Sequence, residues 1–545
     1  MNNKSFKNIA LSVAVGCGFA AALAACTDWD DHYEPSVDSG VGGTLWEQLS
    51  TNPQLTDFCE VLEKTEVFRM HQKRGVSYAD LLRGGQAFTV IAPVNGTFNK
   101  DSLLSLVQTA RGDSMVEKAF VFNHLSRTTT SMKAVTQSLR MMNGKSLNLT
   151  ESTIQGISVI KPNQHAQNGI MHIVSRAVPY GYNLYEALCD DHELAPIGAL
   201  LRQYEWDEFD PNASVISGYN EGVPVYEDSV IYERNRMLEA IGLLGAEDST
   251  FWMAVPTAAG WERAWNKVSS YFVYDGSYLK RDSLQRYWTT RALLEDAIFN
   301  MTDQMTTVDS LVSVPYRNWR KNYVTGKPVY HVFQKPFEPG GIMYGSRQLS
   351  CSNGVLYKTD EWSFDPVKTY FKELWTEAEA TWLIIPPEKS CRYTALRQVA
   401  DSISEDAYLQ IVASSGTANW ELNFRMDNVL SGDYDVCVIL LPQTIINPDA
   451  RLRPCKFKAD IHYVDEAGKE QTFNCDNTAF QSDPTRVDTV VLAKAFHFPT
   501  TNYGQTTNKV YLTLKCNIGP LETSKFSREM LLDCIYLRPR TSKDE

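Results

Sequence analysis

The stretch Phe88-Thr89-Val90-Ile91-Ala92-Pro93-Val94-Asn95-Gly96-Thr97-Phe98 begins as a β-rich run and stops at a proline followed by a turn. Proline cannot donate to a sheet ladder, and the residue before it avoids helical backbone, so the run reads as a strand passing into a loop and then a helix. Upstream, Leu45, Leu49, Leu55, Phe58, Val61, Leu62 and Val67 recur at three- and four-residue intervals, which predicts an apolar helix face from Thr44 onward. Downstream, Lys118 to Leu125 reads as a helix end and Ile154 to Ile160 as a β-branched run. The segment Asn168-Gly169-Ile170-Met171-His172-Ile173-Val174 then predicts a hairpin closed by a type I′ turn.

The same order recurs further along the chain. Asn183-Leu184-Tyr185-Glu186-Ala187-Leu188 opens like Leu45-Trp46-Glu47-Gln48-Leu49, and Phe251-Trp252-Met253-Ala254-Val255-Pro256-Thr257 aligns with Phe88–Val94. Ile298-Phe299-Asn300-Met301 stands where Phe122-Asn123-His124-Leu125 stood, and Ser352-Asn353-Gly354-Val355 repeats the closing hairpin. In order and spacing, Phe88–Phe98, Asn123-His124-Leu125 and Asn168–Pro179 resemble the signatures of a fasciclin (FAS1) domain over residues 44–181. The second, diverged copy would cover 182–376, with Asn300-Met301 in place of the central histidine and polar insertions at 207–250 and 303–345. The resemblance implies α+β domains that mediate adhesion and protein–protein contact.

Beyond Ala380 the helical period disappears, and short strand-like runs separated by Gly, Pro, Asn and Asp follow one another to the C-terminus. Such runs predict an antiparallel sandwich over 377–545, and Ser431–Val438 and Leu532–Pro539 resemble jelly-roll, galactose-binding-like modules that bind sugars. The expected fold class is therefore α+β: two tandem fasciclin-like domains followed by an all-β sandwich. Period-2 alternation puts Trp420, Leu422 and Phe424 on one buried face. Tyr503, in the loop Thr501-Asn502-Tyr503-Gly504-Gln505, is expected to be exposed and is the candidate glycan contact.

The N-terminus carries an address. Lys4 and Lys7 precede an apolar run from Ile9 that ends in Leu23-Ala24-Ala25-Cys26, the pattern of a lipoprotein signal peptide over 1–25, with Cys26 as the acylated residue. Acyl chains on Cys26 would hold the protein at the outer membrane. The tether 26–43 places Asp28, Asp30 and Asp31 beside Cys26, and this resembles the acidic export signal of surface-displayed bacterial lipoproteins. A solvated linker is the alternative reading. Removing 1–25 deletes Lys4 and Lys7 and no acid, which takes the formal charge from -13 to -15. That charge repels nucleic-acid phosphates.

With 545 residues, 43% hydrophobic and 21% charged, the chain has a globular composition that needs several cores. Zinc-hydrolase, serine-hydrolase, P-loop and dinucleotide motifs are absent, and no metal ligand set or cofactor is expected. His124 and His172 read as structural histidines, Asn123 as a backbone-bonding residue, and Asp190-Asp191-His192-Glu193 as a solvated helix end. No particular disulfide is expected among the 11 cysteines.

Two functions remain. The first is a non-enzymatic surface lipoprotein that binds protein or glycan, as an accessory to a TonB-dependent transporter and its substrate-capturing lipoprotein. The second is a glycan-degrading hydrolase whose carboxylate pair lies in the insertions of the second module.

Overall fold

The computed structural model describes residues 42–69, 72–220, 222–301, 309–314, 330–476 and 478–541. The signal segment, Cys26, Asp28, Asp30 and Asp31 lie outside the described residues. The chain divides into two compact units. One is the chain up to Gly181 together with Phe209–Tyr232; the other is Tyr182–Glu208 with Glu233–Glu545.

In the first unit, Thr44 and Glu47 form a capping box that starts the helix Leu45–Ser50. The apolar periodicity from Thr44 does not make one helix. Pro53 lies in the turn after Thr51, and proline cannot continue a helical ladder. A second helix, Thr56–Lys64, carries Phe58, Val61 and Leu62 into the core, while Val67 belongs to the strand Glu66–Arg69. Phe88–Pro93 is the buried strand its composition predicts. It pairs in parallel with Gly169–Val174 and antiparallel with Leu125–Ser126, inside a seven-stranded sheet.

The closing hairpin forms, but its turn differs from the expected type I′. Ala166 pairs with Gly169, so the central residues are Gln167 and Asn168, and neither has the positive φ that type I′ requires. The reason is tertiary. Asn168 is spent on capping: its Oδ1 accepts from the Leu45 N–H at 2.7 Å, and its Nδ2 donates to the Leu82 and Gly84 carbonyls at 2.9 and 2.7 Å. Gly169, at φ +145°, lies against the Phe88 carbonyl, where a Cβ would come within 1.9 Å of the oxygen.

The second unit repeats this construction. Asn183 and Glu186 form the capping box of the helix Leu184–Asp190. Phe251–Pro256 pairs in parallel with Gly354–Thr359 and antiparallel with Ile298–Asn300, and Arg347–Cys351 completes a four-stranded sheet. Asn353 Oδ1 accepts from the Leu184 N–H, and its Nδ2 donates to the Leu244 and Ala246 carbonyls, each bond at 2.9 Å. Gly354, at φ +147°, would place a Cβ 1.8 Å from the Phe251 carbonyl oxygen. The first insertion forms a long hairpin, Glu205–Asn220 with Val223–Asn235, whose residues Phe209–Tyr232 group with the first unit.

From Leu374 on, the described residues form strands and short 3-10 turns. They make two six-stranded antiparallel sheets. In one, Leu374–Glu377 and Gly432–Leu440 both pair with the last strand, Met530–Arg540. Trp420, Leu422 and Phe424 are buried on one face, as the alternation predicts. Asp435, fully buried, receives hydrogen bonds from Arg538 and Arg540, both at 2.5 Å, and from the Ala495 N–H at 3.0 Å. Burial works to raise the Asp435 carboxyl, but the bonds from Arg540 and Arg538 outweigh it and hold it well below the usual carboxylate range. A single hydrophobic core runs from Leu184 and Ile197 through Phe371 to Tyr434, Leu512 and Ile535, so the repeated module and the two sheets are packed together.

Candidate functional site

A cavity of about 210 Å³ opens where the repeated module meets the sheets. The helix Arg281–Leu294 supplies one wall. Helical spacing puts Trp288, Arg291, Ala292 and Glu295 on one side, at i, i+3, i+4 and i+7. The Arg291 guanidinium lies over the Trp288 ring, 5.3 Å from its centroid, and pairs with the nearly buried Glu295 at 3.6 Å. Tyr503 meets Trp288 edge-to-face, with centroids 4.7 Å apart and planes at 86°, and meets Phe272 at 6.1 Å and 81°. The Tyr274 hydroxyl fixes this loop by donating to the Tyr503 carbonyl at 2.8 Å. Gly504, at φ +68°, leaves the space: a Cβ there would lie 2.5 Å from Trp288 Nε1.

Tyr370, Leu430 and Tyr434 close the inner end, where Tyr434 is 1% exposed and Leu430 is 3% exposed. Polar groups share the lining. Asp296 and Lys372 line the cavity and are joined through His331, whose Nδ1 lies 2.6 Å from Asp296 Oδ1 and whose Nε2 lies 2.5 Å from Lys372 Nζ. In the arrangement that satisfies both contacts, His331 donates from Nδ1 to the carboxylate and accepts at Nε2 from the ammonium. Glu373, also on the lining, accepts from the Tyr536 hydroxyl at 2.6 Å. The site thus offers aromatic faces beside charged hydrogen-bonding groups, Arg291, Glu295 and Asp296 buried and Glu373 exposed, the combination that holds a polar ligand with apolar faces.

Tyr503 is half-buried, not exposed as its loop position predicts. It packs against the core through Trp288 and Phe272, and its ring is a wall of the cavity. The Asp190–Glu193 cluster also differs from the expected solvated helix end. Asp191 and Glu193 both bind Lys358, Glu193 binds Arg347 at 2.8 Å, and Asp190 binds Arg202 at 3.1 Å. The hydrogen bonds from Lys358 and Arg347 hold the Glu193 carboxyl down at about 2. His192 is 94% exposed and takes no part in that lysine clamp.

His124 is structural. Its Nδ1 donates to the Phe120 carbonyl at 2.8 Å and its Nε2 accepts from the Val178 N–H at 3.0 Å, while burial pushes its pKa down to about 4. His172 accepts from the Asn163 N–H and donates to the Thr130 carbonyl. Asn123 donates to the Val178 carbonyl. Nine cysteines among the described residues carry free thiols. No group of three or more His, Cys, Asp or Glu among the described residues is arranged to hold a metal ion, and no described helix is long and apolar enough to cross a membrane.

Sequence reasoning missed Trp288, Arg291, Glu295, Asp296 and Lys372. The one local signal was the spacing of Trp288, Arg291 and Glu295 on a helix whose neighbours Leu293 and Leu294 are core residues. An aromatic, a cation and an acid share a helix side there, close to the core.

Residues 53–178 match the fasciclin domain family, so the first module is a fasciclin domain. No curated protein matches the sequence. Among solved structures, a FAS1 domain pair from the insect cell adhesion molecule fasciclin I is similar at 11% identity, covering 52% of this chain and 90% of that one, with a TM-score of 0.19. The CBM22-1 xylan-binding domain of Paenibacillus barcinonensis Xyn10C is similar at 12% identity, covering 30% of this chain and 85% of that one, with a TM-score of 0.18. The CBM22-1–GH10 modules of Clostridium thermocellum xylanase 10B share 11% identity over 31% of this chain, with a TM-score of 0.20. The match spans 26% of that chain. TM-scores this low carry no function across.

Proposed function

We propose that the protein is a non-enzymatic binding protein of the cell surface whose cavity between the repeated module and the two sheets receives a glycan. The observation that carries the reading is the cavity itself: Phe272, Trp288, Tyr370, Tyr434 and Tyr503 give it aromatic walls, and Arg291, Asp296, Lys372 and Glu373 give it hydrogen-bonding groups along its lining. Sugars present C–H faces to aromatic rings and hydroxyls to charged groups, and this site has both. The fasciclin domain at 53–178 also fits a binding role. On this reading the second module is a diverged fasciclin domain and the two sheets form a glycan-binding sandwich.

The sequence supports the remainder of the proposal. Cys26 is the lipid attachment point at the outer membrane, Asp28, Asp30 and Asp31 direct the chain to the cell surface, and a TonB-dependent transporter with its substrate-capturing lipoprotein is the partner in glycan uptake. The test uses the lipidated full chain, probed on a glycan array and by pull-down from solubilised outer membrane, with Cys26→Ala as the anchoring control. Glycan binding, recovery of a transporter, and release of the Cys26→Ala chain from the membrane fraction are the expected results. A silent array together with a pull-down that recovers no surface partner sinks the proposal. Release of new reducing ends from a bound glycan would instead favour the hydrolase.

A further inference from the structure

We infer that this cavity takes the uncharged terminal ring of a glycan chain, one pyranose at a time, and not an internal stretch of polymer. The inference rests on the glycan reading above and adds which part of a glycan enters. Three features of the cavity carry it.

The first is size. At about 210 Å³ the cavity holds about seven waters' worth of space, and it falls below the roughly 300–1,000 Å³ of pockets that enclose larger ligands. One sugar ring fills it.

The second is the arrangement of the rings. Rings that stack separate sugars of an extended chain must each keep a free face along its path, whereas Trp288 and Tyr503 are packed edge-to-face on one another. Here the planes of Trp288 and Tyr503 stand at 86° and those of Phe272 and Tyr503 at 81°, which makes a corner. Buried Tyr434 and Leu430 close the inner end. A corner with a closed end admits a chain end and stops a chain from running through.

The third is charge. Each cation on the lining has an acid of the same lining as its counterpart: Arg291 pairs with Glu295, and Lys372 is linked to Asp296 through His331. Glu373 adds a further carboxylate to the rim. A uronate would therefore meet cations already engaged and one extra negative charge, whereas the hydroxyls of a neutral ring can donate to the carboxylates and accept from Arg291 and Lys372.

The experiment is saturation-transfer NMR on the full chain with xylotetraose, cellotetraose, mannotetraose and β-1,4-galactotetraose, and with the three hexose tetramers oxidised at C6 of the terminal residue to a uronate. Two variants accompany the wild type. Ala292→Phe fills the cavity without removing a polar group, and Tyr503→Leu removes one aromatic wall while keeping bulk. Near-UV circular dichroism checks that at least one of them keeps the native fold. The expected result is saturation concentrated on one terminal ring of a neutral probe, with binding weakened about tenfold or more in the folded variants and in the uronate form.

Even saturation along the internal rings, lost in the variants, overturns the inference and leaves the cavity as a glycan site. Terminal saturation that survives both variants places the ring elsewhere and also overturns it. Equal or tighter binding of the uronate form overturns the charge argument. No saturation of any probe overturns the glycan reading, and this inference with it.

Discussion

Asn353 and Gly354 show how much one dipeptide can fix. The Asn353 side chain makes three hydrogen bonds to backbone groups that start one helix and end another segment, and it is 3% exposed. Replacing it by alanine leaves the Leu184 N–H and the Leu244 and Ala246 carbonyls without that partner in a dry setting. Each buried group left unmade costs about 1–3 kcal/mol, so Asn353→Ala should destabilise the second unit by about 3–5 kcal/mol. Urea unfolding followed by tryptophan fluorescence measures this. A change within the spread of surface substitutions, about 0.5 kcal/mol, would show that the three bonds are replaced by water. Asn168 is built into the first module in the same way, and the repetition of this contact set is the most specific sign that the two modules share one construction.

At the scale of elements, the edge where Leu374–Glu377 joins Met530–Arg540 collects acids. Asp533 Oδ1 accepts from the Ser404 N–H at 3.1 Å, and Glu377 accepts from the Ser404 hydroxyl at 2.9 Å, with Glu379 and Glu405 nearby. Burial pushes both Glu377 and Asp533 up to about 7. Carboxyls with folded pKa values above their unfolded ones bind more protons in the native state, so their stabilising contribution is full below about 4 and disappears as pH rises through about 7. The second unit should therefore lose stability between about pH 4 and 7 and level off above that. Glu377→Gln, which keeps the shape and removes the charge, should flatten that slope and raise the melting temperature at pH 8 relative to wild type. Thermal scans across that range decide it, and an unchanged slope in the variant would remove Glu377 from the explanation. His124 has the opposite sign: its folded pKa is lowered, so its share of stability is present above about 6.5 and is lost as pH falls toward about 4.

At the scale of the whole molecule, the shared core of the second unit makes the repeated module and the two sheets one cooperative body. Phe371 is fully buried and packs against Tyr271 on one side, at 4.6 Å between centroids, and Tyr434 on the other, at 4.9 Å. Phe371→Ala should cost about 3–5 kcal/mol, the usual range for removing a buried phenylalanine. It should also lower hydrogen-exchange protection in Phe251–Pro256 and Gly432–Leu440 together. Loss of protection in only one of those strands would show two independent bodies. The same packing builds the cavity, because its walls come from a helix of the module and from loops that carry Asn428 and Tyr503.

The strand Phe88–Pro93, its counterpart Phe251–Pro256, the hairpins at Gly169 and Gly354 and most strands beyond Ala380 were legible in the chain alone. Strong local periodicity and turn chemistry act within a few residues, and burial reinforced them. The limits of the first helices were less legible, since a three- and four-residue apolar period persists across Pro53, where the ladder breaks. The turn type failed because Asn168 answers to Leu45, Leu82 and Gly84, contacts that no neighbouring residue reveals. The candidate site was the least legible part. Tyr503 could be picked out as a loop aromatic, but its exposure and its partners depend on Trp288 and Phe272, which lie more than 200 positions away. By itself the sequence determined the repeated α+β pattern and the β-rich end, because these are written in short-range spacing and composition. Tertiary structure alone decided where a ligand-sized space exists, because a cavity is the residue of packing between distant elements and has no period of its own.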